Sequence, residues 1–115
     1  MIWYVLENEQ LIPDLLNPHI TEGLKFGWGN AYVAVPPSHC LHGVDYLACD
    51  NIIEVHGGLT YATTGNGINA PKDWWVFGFD TCHWKDNLDN WPKEAVIEET
   101  MSLFWQLVEL EWGGL

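Results

Sequence analysis

The stretch Asp73-Trp74-Trp75-Val76-Phe77-Gly78-Phe79-Asp80 (DWWVFGFD) decides the fold. It is short, aromatic and β-branched, and it is apolar at both parities. A strand that buries both faces reads this way, so it belongs in the middle of a sheet. Trp74 and Trp75 then point to opposite faces. After a polar stretch over 81–91, Pro92 stands where a helix begins, with Glu94 in the first turn. Ile97, Met101, Phe104 and Val108 recur at helical spacing, Leu103, Leu107 and Leu110 widen the stripe, and Gly113-Gly114 ends it. The expectation is one long helix over about 92–111. Glu98, Ser102 and Glu109 lie away from its apolar face.

Outward from that pair of elements, strands are expected at 1–6, 31–35, 51–56 and 59–62. The strand at 31–35 stops at Pro36-Pro37, which cannot donate to a ladder, and Gly57-Gly58 bends the chain between the last two. Residues 7–17 read as a short helix or turn held between prolines, and 21–30 as a loop turning around Gly27-Trp28-Gly29. The fold class is therefore α+β: an antiparallel sheet of four or five strands with one long C-terminal helix across one face. At 115 residues this is a single domain, able to bury about 65% of its unfolded surface. No apolar run reaches the roughly 20 residues of a membrane span. Residues 1–6 carry neither the positive region nor the cleavage pattern of a secretory leader.

Charge narrows the partners. Sixteen Asp and Glu stand against four Lys, with a formal net charge of −12. Direct nucleic-acid binding and anionic membranes are excluded as partners. A basic surface on another protein is favoured, although the same acidity also serves plain solubility. Three cysteines without a CxxC pair read as reduced thiols in a cytoplasmic protein.

Polar and titratable residues gather in three groups: Ser38, His39, His42, Asp45 and Tyr46; then His56, with Gly57, Gly58 and Thr60; then Asp80, His83, Lys85 and Asp86. If the strands that precede and follow them are neighbours, the groups meet at one sheet edge. His39, Asp45, Tyr46, His56, Gly57, Gly58, Thr60, Asp80, His83 and Asp86 are the candidate ligand-binding residues. His56, Asp80 and His83 offer a nitrogen-and-oxygen donor set for a divalent metal. A metal-free polar pocket, and a turn capped by Asp80 with His83 at the surface, are the alternative readings of the same residues. Gly57-Gly58 reads either as a close approach of backbone to an anion or as a bulge. No nucleophile elbow, Walker loop or dinucleotide fingerprint is present, so no organic cofactor is expected. Cys82 is a nucleophile only if His39 or His56 reaches it. Trp84, Trp91 and Trp112 are the aromatics expected at the surface.

The ordered motifs Ala31-Tyr32-Val33-Ala34-Val35-Pro36, Ser38-His39, Gly43-Val44-Asp45-Tyr46, Glu54-Val55-His56-Gly57-Gly58-Leu59-Thr60-Tyr61 and Trp74-Trp75-Val76-Phe77-Gly78-Phe79-Asp80-Thr81-Cys82-His83 resemble those of a family of small bacteriophage and prophage proteins. The resemblance covers about residues 28–110. This chain departs in Cys40, where the family has Pro, and in a short loop over 63–71. The resemblance implies a mobile-element origin and the bacterial cytoplasm, and it carries no activity with it. Joined to the acidity, it leads to the expectation of a phage accessory protein. That protein would block a bacterial defence nuclease, of the anti-CRISPR kind, by stoichiometric binding to its basic surface. A His/Asp pocket that binds or hydrolyses a nucleotide-like molecule, and a structural homodimer, are the alternatives.

Overall fold

The computed structural model describes residues 1–8 and 26–113, the side chains to residue 111. The helix or turn expected over 7–17 lies, beyond Asn8, outside the described residues. Four strands, β1 (Ile2–Glu7), β2 (Gly29–Val35), β3 (Tyr61–Thr64) and β4 (Trp75–Phe79), form one antiparallel sheet in the order β1-β2-β4-β3. One helix, α1 (Lys93–Gly113), follows. The apolar stretch 73–80 thus holds the interior position its pattern predicts, paired to β2 on one side and β3 on the other. No helix among the described residues is long and apolar enough to cross a membrane.

The helix packs on the sheet face that carries Ala31, Val33, Val35, Phe77 and Phe79. Its fully buried residues are Val96, Thr100, Leu103 and Leu107. The buried stripe is therefore centred one residue earlier than the apolar spacing predicts, with Ile97, Met101, Phe104 and Val108 half-buried at its flank. Thr100 makes this rotation tolerable, because its hydroxyl donates to the Val96 carbonyl at 2.6 Å and so enters the core without an unmet group.

Residues 51–56 are not a fifth strand. Ile52 and Ile53 both donate their amides to the Cys49 carbonyl, which curls the chain. Gln106 of α1 then supplies what a neighbouring strand would. Its Oε1 accepts from the Glu54 amide at 2.8 Å, and its Nε2 donates to the Glu54 carbonyl at 2.7 Å. Both backbone groups are met by one side chain, so no ladder partner is needed. The long connection 36–60 runs beside the helix and buries Cys49, Ile53 and Leu59 in the core.

The opposite sheet face carries an aromatic row. Tyr4 stacks on Tyr32 (centroids 5.0 Å apart), and Tyr32 meets Tyr61 edge to face at 5.4 Å. Gly78 lies between Tyr32 and Tyr61 in register, and a Cβ there would come 2.8 Å from Tyr32 Cδ1. The glycine is what lets the ring cross β4. Burial, with smaller contributions from Tyr61 and Tyr32, pushes the Tyr4 phenol from 10.0 up to about 12. The folded state therefore favours the neutral phenol. Its contribution is complete below pH 10 and is lost as pH rises from 10 towards 12. A spectrophotometric phenolate titration should show a native phenol ionising about two pH units later than in the denatured chain. Coincident native and denatured curves would contradict the burial.

Candidate functional site

Antiparallel pairing decides which titratable groups meet. Thr60 donates its amide to the Gly78 carbonyl, extending the β3–β4 pairing by one step. The residues entering β3 and those leaving β4 are therefore at the same end of the sheet. His56, Gly57, Gly58 and Thr60 arrive there from one side, and Asp80, His83 and Asp86 from the other. The first group leaves β2 beside Trp75, where Val35 pairs with it, and so lies at the far end.

That far group has structural work. His39 is buried; its Nε2 donates to the Leu107 carbonyl at 2.8 Å and its Nδ1 accepts the Leu41 amide at 3.0 Å. Both ring nitrogens are used in one neutral tautomer, which pins the connection to the helix. His42 Nε2 donates to the Asp73 carbonyl at 2.7 Å. Asp45 is exposed and precedes a 3-10 turn (Tyr46–Cys49) that needs no side-chain cap from it. Tyr46 packs against the core.

At the near end Asp86 is the organising residue. It is 5% exposed. Both of its carboxylate oxygens lie 2.9 Å from His56 Nε2, and Oδ2 also accepts the His83 amide at 2.9 Å. The carboxylate fixes the protonated nitrogen of His56 as Nε2 and leaves the Nδ1 lone pair available. The His56 ring lies against Trp91 (centroids 4.1 Å apart) and meets the His83 ring edge to face at 5.3 Å. Trp91, expected at the surface, is half-buried as this backstop. Trp84 is exposed as expected, and the side chain of Trp112 lies outside the described residues.

Gly57 and Gly58 both have positive φ, 71° and 78°. A Cβ at Gly57 would collide with His83 Nε2, so this glycine admits the imidazole. The Gly58 amide is taken by the Val55 carbonyl, and the pair serves close packing of a ring and a turn. The loop after Asp86 is tied together by its asparagines. Asn87 Oδ1 accepts the Asp89 and Asn90 amides, and Asn90 Nδ2 donates to the Lys85 carbonyl, where Lys85 adopts φ 73°.

Asp80 stands at the rim. Its Oδ2 accepts the Thr60 hydroxyl at 3.2 Å, its Oδ1 accepts the Cys82 amide at 3.1 Å, and Oδ1 lies 3.1 Å from His83 Nε2. Of the expected metal donors, His56 and His83 are together, and the third donor grouped with them is Asp86. Cys82 does not gain from the histidines. Burial, then the Asp80 charge, pushes its thiol up, away from the thiolate a nucleophile needs. Among the described residues no hydroxyl or thiol hydrogen-bonds to His56, so the dyad has no paired nucleophile.

His56 also lines an open groove of about 670 Å³ with Glu54, Val55, Glu99, Ser102 and Gln106. Sequence reading missed Glu99 and Gln106, because helical spacing alone does not say which polar residue of a turn meets a loop. Burial, reinforced by Glu54, raises the Glu99 carboxyl, and His56 acts against this. With Glu54 and Glu99 in its wall the groove repels a free phosphate unless a cation lies between them. No family model, no curated protein and no solved structure matches the chain.

Proposed function

We propose that this chain is a phage accessory protein of the bacterial cytoplasm that blocks a host defence nuclease by stoichiometric binding, its acidic surface occupying the nuclease's basic channel. The observation that carries this reading is the outer face of α1. Glu94, Glu98, Ser102, Trp105 and Glu109 are exposed and lie on one line of the helix, and the large Trp105 side chain is 56% exposed among them. The last turn holds no basic residue. Acidic side chains near a helix C-terminus oppose the helix dipole, so Glu109 and Glu111 cost stability where they stand. An exposed Trp in line with three exposed carboxylates on the helix fits a lysine- or arginine-rich surface. The indole takes a cation on its face, and the carboxylates steer the encounter. Lys93, at the start of the helix, is turned onto the Trp28 ring at 5.3 Å and does not offset this face.

The test is fluorescence anisotropy with purified anti-phage nucleases, CRISPR effectors included, at low and high salt, together with their cleavage activity. The double variant E98K/E109K should weaken binding at least about tenfold, equivalent to about 1.4 kcal/mol, and restore cleavage. Raising salt from about 0.1 M to 1 M should weaken the native complex, since the screening length falls from about 10 to 3 Å. Binding insensitive to both charge reversal and salt would overturn the reading, as would no binding across the panel.

A further inference from the structure

We propose that His56, His83 and Asp86 form a binding site for one divalent transition-metal ion of the zinc class. One ring nitrogen from each histidine and one Asp86 carboxylate oxygen lie within 4.8 Å of one another. Zinc holds such donors at about 2.0–2.2 Å, which sets tetrahedral edges of about 3.4 Å. The His56–Asp86 edge is 2.9 Å, bridged by the Nε2 proton; metal binding at Nε2 displaces that proton, to Nδ1 or to solvent, and widens the edge to the tetrahedral value.

Two further observations point to a cation. His83 Nε2 is shielded from water and has no hydrogen-bond partner, although Asp80 Oδ1 lies 3.1 Å away. A buried polar atom left unmet calls for a missing partner. The Asp86 carboxylate is buried, and its partners among the described residues are the His56 imidazole and the His83 backbone amide, with no lysine ion pair. A cation answers both. Asp80, Glu54 and Glu99 add negative potential around the cluster and raise the local cation concentration.

The donor set selects the metal. Two imidazoles and a carboxylate suit zinc, cobalt, nickel or ferrous iron, whereas magnesium and calcium need all-oxygen shells. Three protein ligands leave a fourth position open, as in sites that bind an exchangeable water or anion. His56 faces the groove as well as the cluster, so a bound ion would also supply the positive charge that the groove's carboxylates withhold from a phosphate. The proposal does not depend on the nuclease-binding reading, because its three ligands lie outside α1 and it is tested with the metal alone.

The experiment is a titration of the metal-stripped protein with Co²⁺ and, separately, Zn²⁺. It is read by visible d–d absorption, by calorimetry and by melting temperature. One equivalent should bind, with d–d bands of a four- or five-coordinate ion and a melting temperature raised by several degrees. His83→Gln leaves no hydrogen bond of the imidazole behind and should fold normally while losing about 100-fold in affinity. Asp86→Asn, which keeps an oxygen for the His83 amide, should lose at least as much. His42→Gln, at the far end of the sheet, should bind like the parent. Circular dichroism of each metal-free variant checks that the fold persists. Failure to bind one equivalent at millimolar Co²⁺, or unchanged binding by folded His83→Gln, overturns the proposal.

Discussion

Replacing Asp86 with Ala should lower the free energy of unfolding by about 3 kcal/mol, a large share of the 5–15 kcal/mol that holds a domain of this kind. The carboxylate is 5% exposed and serves two donors from different segments, His56 Nε2 and the His83 amide. Removing it strands a half-buried backbone N–H, costing about 1–3 kcal/mol, and frees the His56 ring from the loop that orients it. Asp86→Asn retains one acceptor and should cost roughly half as much. Chemical denaturation of the three proteins measures this. Equal stability of the parent and the Ala variant would mean that Asp86 is hydrated and does not tie the two loops.

The contrast between Asp86 and His39 marks where sequence reading stops. Both are polar residues in loops near other titratable groups, and local pattern treats them alike. Their roles separate only when β2, β3 and β4 are put in register. Antiparallel pairing sends the residues after β2 to one end and those around His56 and Asp86 to the other. Strand order is a tertiary fact, so it cannot be read from spacing. The central strand and the helix were legible for the complementary reason. An apolar run such as 75–79 and a stripe over 20 residues of helix each carry their own burial pattern. Even there the helix turned by one residue, because Thr100 satisfies its hydroxyl on Val96 and passes for apolar. The missing strand at 51–56 failed differently. Its backbone partners were supplied by Gln106, 52 residues away, and a side chain acting as a strand leaves no periodic trace.

Phe77→Ala should be the most damaging core substitution, at about 3–5 kcal/mol. Phe77 is fully buried in the interior strand, and its neighbours in register are Val33 on β2 and Ala62 on β3. The ring lies in the cluster that includes Leu103 and Leu107 of α1. It therefore joins both layers, and neither can collapse into the space it leaves without breaking strand pairing. Phe77→Leu retains most of the volume and should cost under about 1.5 kcal/mol. Urea unfolding distinguishes a local cavity from a lost layer. If the helix stays docked, the midpoint falls and the slope is unchanged. A reduced slope means that the helix has left the sheet before global unfolding. The prediction is the first outcome, because His39 Nε2 to the Leu107 carbonyl and Gln106 to Glu54 hold α1 to the long connection independently of the ring. A Phe77→Ala protein with native slope and a midpoint lowered by the full cavity cost would show that polar ties place the helix while the aromatic core sets how firmly it is held.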